Sequence, residues 1–304
     1  MSDFGKLTKI LEDFEKVQES KFSPTVNEGS SPEETTKISN QYYLPSCHVK
    51  HDQKFTVSEN DASTLSELIL EKVAPQIVTY HEPDNILAEN FKILRSQVLH
   101  PRTGLPSRFI LVTSSVPGEG KTYVATNLAF SFARTVPTLL IESYLRRPAL
   151  KEILGISECP GLGDYLIGKV NIEKCIYKTN FPNLYLMPAG TLSLERKDYF
   201  SSTQIIAFLD VLKEKFLDFF FIFDSPSVLV ASEAIFLSRL VDGILFVVRY
   251  GFSDREVVSE ALDKIGKSKV IGLVFNAYVP HAFGLFSPKL KCFQYAYKYY
   301  KFNR

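Results

Sequence analysis

Ser115-Val116-Pro117-Gly118-Glu119-Gly120-Lys121-Thr122 has the residue types and spacing that hold a phosphate chain. It follows the apolar run Phe109 to Val112 and precedes the helix-like segment Thr122 to Ala133. A glycine-rich turn between a strand and a helix leaves successive backbone N–H groups free to point at one anion, and the helix N-terminus adds partial positive charge. In this reading the cradle runs over Ser115, Pro117, Gly118, Glu119, Gly120, Lys121, Thr122 and Tyr123. Gly118 and Gly120 permit the tight path, Lys121 reaches the β/γ-phosphates, and the Thr122 hydroxyl takes a Mg²⁺ position. Ser115 stands where the usual G-x-x-x-x-G-K-[ST] pattern begins with glycine. A nucleotide site also needs a carboxylate for the metal shell. Phe219-Phe220-Phe221-Ile222-Phe223-Asp224 reads as a strand buried on both faces, with Asp224 at its C-terminal edge, where ligands bind in parallel sheets.

A third segment, Leu139-Leu140-Ile141-Glu142-Ser143-Tyr144-Leu145-Arg146-Arg147-Pro148, ends at the same edge. Together the three segments resemble the cytoplasmic domain of the bacterial tyrosine kinases (BY-kinases) of capsule and exopolysaccharide synthesis, relatives of the MinD and ParA ATPases. The resemblance extends over about residues 78 to 304. In that family the third segment reads Asp-x-Asp-Leu-Arg-Arg-Pro and the later one apolar-Asp-x-Pro-Pro. Here Glu142 and Tyr144 replace the two aspartates, and Ser227 replaces the second proline.

The resemblance implies catalytic roles for Lys121, Glu142, Arg146 and Asp224, with Mg²⁺ held by Thr122 and Asp224. It implies ATP as the nucleotide, with Asn276 near the adenine ring. It further implies that Glu89, Lys92 and Arg95, in Glu-Asn-Phe-Lys-Ile-Leu-Arg, take part in ring-like self-association. Tyr295, Tyr297, Tyr299 and Tyr300, in the basic tail, would be phosphoacceptors presented to a neighbouring subunit. Each phosphate would add roughly −1.5 to −2 charge and weaken that contact. The implied function is a tyrosine autokinase-like protein of polysaccharide export. Its partner would be a separate membrane co-polymerase that holds it at the inner face of the plasma membrane. The resemblance gives the base role to the first position, where Glu142 could still act with a longer reach, and metal support to the second, where Tyr144 cannot replace a carboxylate; losing a well-placed general base typically costs 10²–10⁴ in rate. A nucleotide-binding regulator of chain length or export is therefore a second expectation. A MinD/ParA-type positioning ATPase ranks below both, because those relatives carry a lysine where this chain has Val116.

The elements that must position these residues alternate. Phe109 to Ser114, Thr138 to Ile141, Leu184 to Pro188, Phe219 to Phe223, Gly243 to Val248 and Val270 to Phe275 read as strands. Lys121 to Ala133, Thr203 to Phe216 and Asp254 to Lys267 read as helices between them. This pattern predicts an α/β, three-layer P-loop NTPase fold: a doubly wound, mostly parallel sheet flanked by helices. The predicted organisation is an amphipathic helix at 1–18, a low-complexity, mostly disordered linker at 19–77, the nucleotide-binding domain at 78–288 and the tyrosine-rich tail at 289–304.

With 304 residues, 45% apolar, and a net charge of +1, the chain can bury one sizeable core, and nothing in it suggests nucleic-acid binding. Cys47, Cys159, Cys175 and Cys292 lack metal or disulfide spacing and read as free thiols in a reducing cytoplasm. The longest apolar run falls far short of the roughly 18 residues that suggest a membrane span.

Overall fold

The apolar runs that terminate in chemistry-bearing residues are too hydrophobic for a half-exposed strand, and they are the centre of the sheet. A computed structural model of the chain describes residues 65–101, 104, 106–191 and 202–277. Its strands are β1 (Ser66–Leu68), β2 (Phe109–Ser114), β3 (Thr138–Glu142), β4 (Tyr177–Thr179), β5 (Leu184–Met187), β6 (Phe220–Asp224), β7 (Gly243–Arg249) and β8 (Val270–Asn276). They form one eight-stranded sheet in the order β1-β4-β5-β3-β6-β2-β7-β8. Every pairing is parallel except β4 with β5. Parallel strands end at the same edge, so Ser114, Glu142, Asp224, Arg249 and Asn276 are gathered there by topology alone. Register pairs Glu142 with Asp224 across β3 and β6, and Arg249 with Asn276 across β7 and β8.

β2 and β3 are buried along their whole length, as burial on both faces requires. Phe109 stacks on Phe221 with ring centroids 4.4 Å apart. The helices before β3 are α1 (Val78–His81), α2 (Ile86–Leu99) and α3 (Lys121–Ala133). The later ones are α4 (Leu150–Leu154), α5 (Leu162–Leu166), α6 (Ser202–Lys215), α7 (Ser232–Leu240) and α8 (Arg255–Ile265). α3 is apolar almost all round because it lies against the sheet on one side and α1 and α2 on the other; every residue from Val124 to Ala133 is buried. α8, at the surface, buries only Val258, Ala261, Leu262 and Ile265, one stripe at helical spacing.

Two strands were absent from the sequence reading. Tyr177–Thr179 is three residues long, and Ser66–Leu68 lies inside the segment assigned to the linker. The ordered domain therefore begins before residue 78. Leu65, Leu68, Leu70, Val73 and Ile77 are buried, and Ala74 N–H donates to the Ile153 carbonyl at 2.7 Å. The join is completed by Asn127 of α3, whose Oδ1 accepts from the Thr79 N–H and Oγ1, both at 3.1 Å. Residues 1–64, which hold the expected N-terminal helix and most of the linker, and the tail at 289–304 lie outside the described residues.

Asp164, fully buried at the start of α5, ties three segments together. It accepts from Gly161 N–H at 3.1 Å, from Thr191 N–H and Oγ1 at 2.8 Å, and from the Lys169 ammonium at 3.2 Å. Gly190 (φ +104°) is required beside it, since a Cβ there would come within 2.3 Å of Asp164 Oδ2. Burial alone would raise the carboxyl pKa, but these donors hold it below the usual carboxylate value. Asp164→Ala is expected to cost about 3 kcal/mol at neutral pH, because several donors lose their acceptor. A depressed native pKa contributes stability above the ordinary carboxylate range and loses it as pH falls through the native value. Urea unfolding at stepped pH should therefore show the wild-type advantage shrinking under acid. A pH-independent gap would contradict the ionic part of this account.

Candidate functional site

The phosphate loop begins where β2 ends, and its shape is set by contacts on both sides. On the β6 side, Ser225–Leu229 runs along the end of β2. Val228 and Leu229 N–H donate to the Ser114 and Ser115 carbonyls, at 2.9 and 3.1 Å. Ser227 shares a 3.1 Å hydroxyl hydrogen bond with Ser114. Within the loop, Glu119 is fully buried; its Oε2 accepts from Val116 N–H at 2.9 Å and its Oε1 from the Ser253 hydroxyl at 2.9 Å. Gly118 and Gly120 both have φ of +91°, a region natural to glycine. A Cβ on Gly120 would also lie 2.0 Å from Asn276 Nδ2.

Helix α3 starts at Lys121, and its first i→i−4 bond runs from Val124 N–H to the Gly120 carbonyl. The N–H groups of Lys121, Thr122 and Tyr123 precede that bond and are the orphan donors of a helix N-terminus. Lys121 is 7% exposed, and burial lowers its pKa against the opposing pull of Asp224 and Glu119. Its ammonium lies 5.7 Å from the centroid of the Tyr144 ring, which offers it a π face. Burial, with Glu142 adding to it, raises the Asp224 pKa to about 7, against the Thr122 hydroxyl hydrogen bond and the Lys121 charge. Asp224 Oδ1 and Ser115 Oγ are buried with no hydrogen-bond partner.

A buried, unpartnered carboxylate oxygen beside a threonine hydroxyl, a lysine and a row of helix N-terminal N–H groups fits a nucleotide phosphate chain with Mg²⁺. Among the described residues no group of three or more His, Cys, Asp or Glu side chains is gathered that could hold a metal. Thr122 and Asp224 would supply two positions, and phosphate oxygens and water the remainder.

Other expected residues are placed differently. Both oxygens of Glu142 are engaged: Oε1 accepts from Ala149 N–H at 2.5 Å and Leu150 N–H at 2.8 Å, and Oε2 from Ala189 N–H at 3.0 Å. Glu142 thus caps the start of α4 and pins the end of β5, and burial raises its pKa against those three bonds. Its geometry is that of a structural acceptor, each oxygen already receiving at least one backbone N–H. Arg146 is exposed and donates to Glu233 at 2.8 Å. The Tyr123 ring packs edge-to-face on Phe91, centroids 5.8 Å apart, and serves the α2–α3 contact. On α2, Lys92 pairs with Glu89 at 3.0 Å, while Arg95 turns inward and donates to the Ser131 carbonyl at 2.6 Å. Of that trio, Glu89 and Lys92 form a surface pair and Arg95 is committed to α3. Asn276 Nδ2 donates to the Glu119 carbonyl at 2.8 Å, and its Oδ1 accepts from Ala277 N–H. Tyr295, Tyr297, Tyr299 and Tyr300 lie outside the described residues. Missed in the sequence were Arg249 and Ser253, which reach the loop from the end of β7 and from the connection that follows it. No motif marks them.

A mostly parallel sheet with this loop at the end of an interior strand, flanked on both sides, defines a P-loop nucleotide-binding α/β domain. No protein-family model matches the chain. Among curated proteins it is 26% identical over 210 residues to the tyrosine-protein kinase YwqD of Bacillus subtilis (strain 168), covering 66% of this chain and 85% of that one. It is 26% identical over 203 residues to the tyrosine-protein kinase ptk of Acinetobacter johnsonii, where the match spans 27% of the relative's length. Among solved structures, the VpsO kinase domain superposes with a TM-score of 0.58 at 27% identity, covering 66% of this chain and 99% of that one. The chain is a homologue of the bacterial tyrosine kinases.

Proposed function

We propose that the chain is an ATP-dependent tyrosine autokinase of capsule or exopolysaccharide synthesis, acting on tyrosines of its own C-terminal tail in a neighbouring subunit. The observation that carries this reading is the convergence of Lys121, Thr122 and Asp224 on the phosphate loop in a homologue of tyrosine kinases. In the reaction a tail tyrosine oxygen bonds to the γ-phosphorus as the bond from that phosphorus to the ADP oxygen breaks, and the hydroxyl proton passes to solvent or a base. Loop N–H groups and the Lys121 ammonium orient the phosphates and offset charge that develops on their oxygens. Thr122 and Asp224 would hold a Mg²⁺ ion, which would supply further neutralisation at those oxygens. Positioning and electrostatics provide most of the catalysis in phosphoryl transfer, so activity does not require Glu142 to serve as a base.

Among the described residues no helix is long and apolar enough to cross a membrane. Attachment at the inner face of the plasma membrane would then come through a separate membrane polysaccharide co-polymerase, and self-association through the α2 surface bearing Glu89 and Lys92. A second reading, a nucleotide-binding regulator without kinase activity, is favoured by the engagement of both Glu142 oxygens with backbone N–H groups.

The deciding experiment is phosphotyrosine mapping by mass spectrometry after purified, phosphatase-treated protein is incubated with Mg-ATP. Phosphate on Tyr295, Tyr297, Tyr299 or Tyr300 that is lost in Lys121→Ala is the expected result. Tight ATP binding with no phosphotyrosine, even with a co-polymerase's cytoplasmic segment added, selects the regulator.

A further inference from the structure

Resting on the nucleotide-binding reading, we infer that Arg249, acting with Asn276, is a positioning residue that aims two peptide groups of the phosphate loop at the nucleotide's phosphates. Arg249 ends β7 and donates from Nη1 to the Gly118 carbonyl at 3.2 Å. Asn276, its register partner at the end of β8, donates to the next carbonyl, that of Glu119, at 2.8 Å. A trans peptide is planar, with its C=O and N–H pointing in opposite directions. Holding the carbonyls of Gly118 and Glu119 toward β7 and β8 therefore turns the N–H groups of Glu119 and Gly120 the other way, into the cradle. Turned round, the same peptides would present carbonyl oxygens to an anion.

The constraint matters because both flanking positions are glycines at φ +91°, and glycine fixes its own conformation poorly. Arg249 is itself held in place. Its guanidinium lies 5.2 Å from the centroid of the Phe252 ring, and Phe252 in turn lies against Gly118, close enough that a Cβ there would meet Phe252 Cζ at 3.2 Å. Ser253 completes the connection by donating to Glu119 Oε1. The β7–α8 connection is thus a brace on the loop, and nothing in the phosphate-binding motif itself encodes it.

The test is calorimetric titration of the full chain with Mg-ATP and with Mg-ADP, using Arg249→Met, which keeps the apolar stem on Phe252 but has no donor, and Arg249→Lys, which restores one. Arg249→Met is expected to bind both nucleotides roughly tenfold more weakly, the loss associated with misaligned charge-assisted donors. Its unliganded Tm should stay close to wild type, and Arg249→Lys should recover most of the affinity. Wild-type affinity in Arg249→Met overturns the inference. So does an affinity loss matched by a comparable loss of unliganded stability, which assigns Arg249 to the fold. A shallower salt dependence in Arg249→Met than in wild type also overturns it, because it assigns the guanidinium to the phosphates directly. Failure of the wild-type protein to bind either nucleotide is distinct from all of these and removes the nucleotide-binding reading itself.

Discussion

Glu142→Ala is expected to destabilise the domain by about 3 kcal/mol, because it leaves the N–H groups of Ala149, Leu150 and Ala189 without their acceptor in a buried site. For a domain of this size that corresponds to a fall in Tm on the order of 10 °C. The loss is smaller than three full hydrogen bonds would give, since removing Glu142 also removes a buried carboxylate that raises the Asp224 pKa. Glu142→Gln separates structure from chemistry. The amide keeps one oxygen for Ala149 and Leu150 but sets an N–H₂ against Ala189 N–H, or the reverse, so it should cost about 1–2 kcal/mol while nucleotide affinity persists. Thermal unfolding, read alongside autophosphorylation, decides the matter. If both variants melt like the wild type and only phosphorylation is lost, Glu142 is a base and the capping role is wrong.

Lys121→Ala is the second large effect. Among the described residues Lys121 is the one cation buried at the junction of the loop and Asp224, and removing it should lower phosphoryl transfer by on the order of 10²–10³, as loss of a single transition-state donor does elsewhere. The ammonium also offsets the charge of Asp224, so its loss should favour the protonated carboxyl and weaken any bound Mg²⁺ as well. Stability should change little or rise, because a partly desolvated charge is removed. Before nucleotide binds, the lysine rests against the aromatic face of Tyr144. In the proposed site, moving the ammonium onto a nucleotide's phosphates would give up this contact, worth about 0.5–2 kcal/mol. Lys121→Ala protein that still phosphorylates its tail at near wild-type rate would show that the chemistry is done elsewhere.

Much of the fold is legible in the chain. β2, β6 and β7 are uninterrupted apolar runs of strand length bounded by polar residues, a pattern that only a sheet buried on both faces can accommodate; their limits in the structure agree with the reading to within a residue or so. The loop Ser115–Thr122 is legible for a related reason: its function depends on local backbone conformation, and glycine spacing records local conformation directly. β1 and β4 are not legible. Three residues such as Ser66-Glu67-Leu68 carry no periodicity, and they are strands only because a neighbouring strand offers them hydrogen bonds.

The candidate site divides along the same line. Lys121, Thr122 and Asp224 stand out as candidates in the sequence because each sits beside the element that positions it. The contacts of Glu142, Tyr144, Arg249 and Asn276 are set by tertiary structure, because a carboxylate, a ring or a guanidinium has no fixed partner until the fold brings one. Those partners are Ala149 and Leu150 seven and eight residues from Glu142, Ala189 still farther along, and Gly118 on a strand connection far from Arg249 in the chain. Local propensity specifies where the backbone turns, whereas the fate of a polar side chain at a buried sheet edge depends on which strand ends arrive beside it.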